Sequence, residues 1–267
     1  MSRRIDRIQK ALVRPADGAF DPVELAGLPE PVVRYFRTAI APGTPLARSA
    51  MIRMRGRIKL GRWAGFRGSE LISPTVGFVW AVRAGPITGY DRYSQGEGEM
   101  RWKLLGLVPV MHATGPDVSR SAAARAAGEG IWIPTALLPR FGTRWQATDD
   151  AHVTSHHILD GHELTCHHTL DDQARIVTTC IDRWGDPDRT GTYALHPFGV
   201  ENTAWRTFGG LTIPTVGRAG WHHGTDRRAD GIFFEYEITG LDPVIHSRRG
   251  ESRQIRGRDG MRTTTRA

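Results

Sequence analysis

Several things are scarce in this chain, and each scarcity excludes something. Two cysteines, Cys166 and Cys180, in 267 residues are too few for the disulfide framework of a small secreted domain or for a four-thiolate metal site. Both are expected as free thiols. No run approaches the roughly 18–20 apolar residues that a membrane-spanning helix needs. The basic start, MSRRIDRIQKALVRPADG, lacks the apolar stretch of a secretory signal, so the expected location is the cytoplasm. Lysine is nearly absent: apart from Lys10, Lys59 and Lys103, arginine supplies all of the 36 basic residues. No G-x-S-x-G, Walker or strand–helix G-x-G-x-x-G pattern occurs, and neither does a Cys-x-x-Cys clip or a helical H-x-x-E-H. The common hydrolase, nucleotide and zinc-site signatures are thereby missing, and no cofactor or metal is implied.

The net charge of +8 sits at the ends. Residues 1–14 carry five basic side chains against Asp6, and 246–267 carry seven arginines against Glu251 and Asp259, leaving the body between them near neutral. A near-neutral body argues against a stable nucleic-acid complex. The ends read as solubilising tails, with weak contact to phosphates or an acidic membrane surface as the competing reading. Residues 242–267 lose all periodicity and are expected to form a disordered basic tail.

Between the ends the period of the apolar residues changes twice. Residues 1–45 read as helical: Ile5, Ile8, Leu12 and Val13 share one side, and Val32, Tyr35, Phe36 and Ile40 recur at helical spacing after Pro31 in a first turn. From Ala50 the period is two. Ile52, Met54, Ile58 and Leu60 alternate with Arg53, Arg55, Arg57 and Lys59, giving one buried face and one basic face. That basic row reads as a solvated face or, alternatively, as a phosphate-binding surface. Further strands are expected near 66–72, 76–83, 87–93 and 99–105. In the segment 76–83 both faces are apolar, which calls for something to cover the second face.

The stretch 106–140 is the one long segment with helical character. Thr114-Gly-Pro-Asp117 fits a capping box, Ala122 to Ala127 supply helix propensity, and Gly128 and Gly130 stop the helix. Ile131, Trp132, Ile133, Leu137 and Leu138 then supply bulk, bracketed by Pro134 and Pro139. This helix is expected to lie across the sheet and to cover the doubly apolar strand. Short strands resume at 144–148, 153–159, 163–170 and 175–183, with Asp160-Gly161 as a hairpin turn. Short segments at 193–195, 203–208, 211–213, 216–223 and 232–238 complete an antiparallel meander. The fold class is α+β and mainly antiparallel β: a curved sheet or incomplete barrel over 46–241, with helices near 115–139 packed across its opening.

Three groups of residues have chemical potential. Six histidines fall in 152–168, and His157 with His162, or His156 with His167, are candidates to approach each other across the hairpin; a solvated strand face is the alternative. Asp186 and His196 form a candidate acid–base pair. Trp184 and Trp221 would wall a pocket beside them, with Trp80, Trp132 and Asp226 as further ligand-binding candidates. Against this, Asp186 and Asp226 also suit turn caps, and tryptophans also suit plugs for a barrel mouth.

The motifs LPEPVVRYF (28–36), GFVWAVRAGP (77–86), GEMRWKLLGLVPV (98–110), GPDVSRSAAAR (115–125), WIPTALLP (132–139), RWGDPD (183–188), FGGLTIPT (208–215) and WHHGTDR (221–227) resemble a bacterial family of unknown function typical of high-GC actinomycetes. The resemblance spans residues 28–238 and implies neither an activity nor catalytic residues. At the level of fold alone, the pattern is similar to half-barrel lipoprotein carriers, which implies a curved sheet closed by helices over an apolar cavity. The expected function is binding of an apolar or amphipathic small molecule, lipid or polyketide-like. The alternatives are a cofactor-independent acid–base enzyme and a surface or nucleic-acid role for the basic ends.

Overall fold

The computed structural model of the chain describes residues 3–245. Two helices come first, α1 (Arg3–Leu12) and α2 (Glu30–Ala39). Six strands follow: β1 (Ala50–Leu60), β2 (Arg62–Ser73), β3 (Gly77–Ala84), β4 (Ile87–Ser94), β5 (Glu97–Leu104) and β6 (Val108–Thr114). Helix α3 (Pro116–Gly128) and three short 3-10 turns lead to β7 (Arg144–Ala147), β8 (His152–Leu159), β9 (His162–Leu170) and β10 (Ile176–Gly185). Then come β11 (Ala194–Phe208), β12 (Leu211–Trp221), the single turn α4 (Arg228–Gly231) and β13 (Ile232–Pro243).

All thirteen strands join one antiparallel sheet in the order β6-β5-β4-β3-β2-β1-β13-β12-β11-β10-β9-β8-β7. Hairpins account for nearly every neighbour. Two places differ: β1 and β13 pair in the middle, and β6 and β7, consecutive in the chain, form the two opposite edges. The sheet does not close into a barrel. The expected incomplete barrel with a helix across its opening is the architecture formed.

Topology forces the crossing. The segment between β6 and β7 must travel from one edge of the sheet to the other, and α3 lies on that path. It touches β5 and β10, with further contact to β3, β4, β6 and β9. In the sheet β5 and β10 stand eight positions apart, about 38 Å if flat at ~4.8 Å per strand. A 13-residue helix is only about 20 Å long and ~10 Å across. Contact with both arms therefore requires the sheet to curl around α3.

Helix α3 suits this place because one run of small residues, Ala122, Ala123, Ala124, Ala126, Ala127 and Gly128, is buried. The sheet makes matching room at Gly98 of β5. A Cβ there would come within 2.8 Å of Ser119 Cα and of the Val118 carbonyl oxygen. The Gly98 amide instead donates to Ser119 Oγ at 2.9 Å, and that hydroxyl donates to the Gly115 carbonyl at 2.9 Å. After the helix, Ile131, Trp132, Ile133, Leu137 and Leu138 are all buried in the main core, as their bulk implied. The Trp145 indole on β7 donates to the Leu137 carbonyl at 2.9 Å and ties this segment to the far edge.

Several expectations are corrected. Residues 108–114 are strand rather than the approach to a helix: Val108 and Val110 are β-branched, and Pro109 is tolerated because β6 is an edge. The capping box does not form. Thr114 ends β6, the residue before the helix is Gly115 at φ 106, and no side chain caps the first turn. The second face of β3 is covered by α1, not α3. Val79 packs with Ile5, Leu12 and Leu71, while Phe78, Trp80 and Val82 face α3 within the main core. Residues 194–208 form one long strand in place of the two short segments expected at 193–195 and 203–208; it carries His196 to Gly199, and pairing with β12 begins at Phe198.

The basic face of β1 meets acids on β13. Arg55 Nε lies 2.8 Å from Glu237, Arg57 Nε lies 2.7 Å from Glu235, and Arg53 pairs with Asp242. Exposed pairs of this kind contribute little stability, but they occupy the row that would otherwise have been free to take phosphates. Both cysteines are free thiols. Strand β13 runs through Pro243, and the rest of the expected basic tail, 246–267, lies outside the described residues.

The close approach at Gly98 gives a direct test. Gly98→Ala forces the helix off β5 and is expected to cost about 1–3 kcal/mol in urea unfolding. An unchanged midpoint and slope would show that α3 does not rest on β5 at this point.

Candidate functional site

A cavity of about 400 Å³ lies between α3 and the inner face of the sheet. Its sheet side is aromatic. Trp80 stands 5.8 Å from Trp102 and 5.7 Å from Phe234, the latter edge-on. Phe234 lies 6.0 Å from Tyr236, which meets Trp132 edge-on at 5.4 Å. On the opposite arm, Phe198 and Trp221 line it, their rings 5.2 Å apart. The small residues of α3 leave this volume unfilled: Ala122 and Gly128 line it where larger side chains would have occupied it. Gly185 serves the same end on β10, since a Cβ there would meet the Trp221 ring at 2.5 Å. Lys59, Met111 and Tyr193, exposed members of the lining, mark where it opens.

One end of this apolar space is charged. Arg125 of α3 reaches the sheet with all three nitrogens engaged: Nε to Glu129 at 2.7 Å, Nη1 to Asp91 at 3.1 Å and Nη2 to Glu70 at 3.4 Å. Its guanidinium also lies 4.4 Å from the Phe78 ring and 5.1 Å from that of Trp80. Glu70 and Asp91 belong to the row Ile52–Glu70–Trp80–Asp91–Met100 across β1 to β5. Both therefore stand on the inner face among apolar residues.

Burial sets the protonation of this group. Burial and the neighbouring Glu129 charge push Glu70 well above the ordinary carboxylate range, against the pull of Arg125. Burial also raises Asp91, opposed by Arg125 and by the Trp102 indole, which donates to it at 2.8 Å. Burial disfavours the charge on Arg125, but Glu129, Glu70 and Asp91 outweigh it and hold its pKa above the usual value.

Arg183 of β10 brings another guanidinium, half-buried, to the cavity lining. Its Nε donates to the Ser121 carbonyl at 3.2 Å and to Ser121 Oγ at 3.1 Å, and its ring neighbours are Phe198 at 4.7 Å and Trp221 at 5.4 Å. Burial, then the like charge of Arg125, pushes its pKa down to about 10, with Glu129 and Asp91 pulling the other way. No carboxylate of the described residues comes within ion-pair distance of it.

The residues singled out from the sequence divide as follows. Trp80, Trp132, Trp221 and Asp186 line the cavity. Trp184 does not. It sits outside α3, where its indole donates to Asp117 at 2.7 Å and Arg120 stacks on its ring at 4.0 Å. Asp117, expected to cap the helix, is thus held by the clamp between α3 and β10. Asp226 is exposed on the turn before α4, away from the lining. The expected acid–base pair is not joined by a hydrogen bond. Asp186 spends its oxygens on the Thr190 and Gly191 amides and the Thr190 hydroxyl, which lower its pKa, and His196 stands opposite Arg183 on β11. Arg125, Arg183, Glu70 and Asp91 were not singled out, although Glu70 and Asp91 fall in the apolar phase of their strands.

The histidine hairpin forms around Asp160 and Gly161, both at positive φ. Its register differs from the one expected: His157 opposes Leu164 and His156 opposes Thr165. No group of three metal-ligating side chains converges among the described residues. Instead Ser155 Oγ bridges His157 and His168 at 2.9 Å each, and His168 Nδ1 meets Thr179 Oγ1 at 2.9 Å. Burial lowers His157 to about 4 and His168 to about 3.

A family model described as a family of unknown function, DUF6544, matches residues 18–230. The chain belongs to that family. No curated protein matches this DUF6544 chain. Solved structures are similar to it, among them the following three. A LolA superfamily protein of Nitrosomonas europaea is 8% identical, with 80% of this chain and 91% of that one covered and a TM-score of 0.43. A putative outer membrane lipoprotein-sorting protein domain of Vibrio parahaemolyticus is 8% identical, covering 73% and 85%, with a TM-score of 0.35. A DUF1329 family protein of Desulfovibrio piger is 9% identical, covering 84% and 94%, with a TM-score of 0.39.

Two predictions test the electrostatics of this interior. Arg125→Gln leaves Asp91 buried, and Glu129 half-buried, without their cation and is expected to destabilise the fold by about 3–5 kcal/mol. A loss below about 1 kcal/mol in urea unfolding would remove Arg125 from its place as the tie between helix and sheet. The second concerns the histidines. Both are held below their ordinary value of 6.5, so the unfolded chain binds more protons than the folded one below that pH. Stability is present above pH 6.5 and lost as pH falls towards 4, by about 2 kcal/mol per histidine at pH 5. Glu70 and Asp91, shifted upward, act with the opposite sign, so the reading is a difference. The stability gap between the parent and His168→Gln is expected to narrow by about 2 kcal/mol from pH 7 to pH 5; a constant gap would mean that His168 is protonated in the fold.

Proposed function

We propose that this DUF6544 chain binds an apolar or amphipathic small molecule between α3 and the curved sheet. One observation carries the reading. A space of about 400 Å³, walled by aromatic rings, is left open where the covering helix presents Ala122 and Gly128 to it. Binding sites for small organic ligands fall in the range of about 300–1,000 Å³, with mostly apolar walls and a few polar groups. A chain selected only for stability gains by filling such a space, because buried voids cost contact energy. Lipid or polyketide-like molecules fit the aromatic walls and the polar end supplied by Arg125 and Arg183.

The test uses the full chain purified without detergent. Native mass spectrometry is expected to show a bound small-molecule mass, or a shift on adding 1-anilinonaphthalene-8-sulfonate, with matching enhancement of probe fluorescence. Ala122→Phe, which places a ring in the cavity from the helix side, is expected to weaken probe binding at least tenfold while the fold persists. A bare protein mass together with no probe binding would sink the proposal. So would unchanged probe affinity in Ala122→Phe.

A further inference from the structure

Arg125 and Arg183, both half-buried in the cavity lining, differ in their hydrogen bonds in a way that bears on the ligand. Arg125 has every nitrogen engaged by a carboxylate. Arg183 has only Nε engaged, by the backbone carbonyl and hydroxyl of Ser121. Its Nη1 and Nη2 form no hydrogen bond within the described residues, and neither is among the atoms fully sealed from solvent. Arg183 lines the cavity, and its guanidinium stands over the rings of Phe198 and Trp221, which line it too; this placement is our ground for taking the two donors as open to the cavity. An arginine held by Nε from one side, with both Nη groups facing an apolar space, presents the planar two-donor edge that a carboxylate fits.

Building on the proposed cavity function, we infer that Arg183 receives the head group of the ligand, and that this head is a carboxylate on an apolar chain. The chain of such a monocarboxylic acid lies along the aromatic wall formed by Trp80, Trp102 and Phe234. The surroundings favour a single negative charge. Asp91 and Glu129 stand near enough to act on Arg183 electrostatically, and Arg125 neutralises them in part. A dianionic phosphate ester would meet their repulsion more strongly than a carboxylate and would offer a tetrahedral rather than a planar edge. Ser121 is a positioning residue: it holds Nε and so turns the free edge inward.

The experiment compares decanoic acid, methyl decanoate and decyl phosphate by isothermal titration calorimetry at pH 7.5, on the full chain and on Arg183→Met. The parent is expected to bind the acid at least tenfold more tightly than its ester. Arg183→Met is expected to bring the acid down to the affinity of the ester while leaving the ester nearly unchanged. Equal affinity for acid and ester in the parent overturns the head-group assignment and leaves the apolar cavity standing. A preference that survives in Arg183→Met assigns the head to another group, and tighter binding of the phosphate excludes a carboxylate-selective site. If none of the three binds, the head-group assignment falls, and the probe and mass measurements above decide whether the cavity reading falls with it. The acid–ester comparison on the parent alone remains decisive if Arg183→Met does not fold.

Discussion

Because β6 and β7 are consecutive in the chain yet form opposite edges of one sheet, the segment joining them has to pass over a sheet face. Everything else in the interior follows from that passage. A flat thirteen-stranded sheet would leave the crossing segment in contact with a few strands and the edges far apart. The sheet curls until β5 and β10 both reach α3, and the residues that permit it are small. Gly98 lets the helix backbone approach β5, and the alanines of α3 let the two arms close on it. The same smallness prevents the helix from filling what it covers. The cavity is thus a geometric consequence of a narrow helix inside a wide arc, lined by the aromatic side chains that the sheet turns inward.

A helix with alanines on its buried side gains little from burial per residue. Its position is secured by a few stronger contacts. Arg125 joins α3 to β2 and β4 through Glu70 and Asp91, Arg183 joins it to β10 through Ser121, and the Trp184 indole with Asp117 clamps it from outside. Ile131 to Leu138 then supply the apolar area that the helix lacks. These ties come from both arms of the sheet. The helix and the arc therefore hold each other in place, and loss of the charged tie weakens the enclosure as well as the fold.

Much of this was legible in the sequence, for identifiable reasons. The period-two alternation of 50–60 and the Asp160-Gly161 turn report local rules, and the strands they predict form. The helix at 116–128 and the bulk after it were legible for the same reason. What escaped were facts set by distant partners. That the outer face of β3 is covered by α1 depends on where the N-terminus folds back. The arginines of β1 looked free because their acids lie nearly two hundred residues away on β13. The continuous strand through His196 escaped because it is set by pairing with β10 and, from Phe198, with β12. Even so, one signal was available locally: Glu70 and Asp91 occupy positions whose neighbours two residues away point into the core. A carboxylate at such a position has to find a cation, which narrows the search to the arginines of the segment that crosses the sheet.

That pairing also explains why the two arginines have different parts to play. A cation buried in an apolar interior is tolerated when acids surround it, and Arg125 has three. Arg183 lies close enough to repel Arg125 and yet shares its acids only at a distance, so its own field is incompletely answered by the protein. Stability alone would favour replacing such a residue with an apolar one of similar volume. An arginine kept half-satisfied at the polar end of an aromatic cavity makes physical sense when the missing partner arrives from outside. The unfilled volume and the unfilled hydrogen-bonding edge then belong to one site, and the chemistry of one constrains the identity of what fills the other.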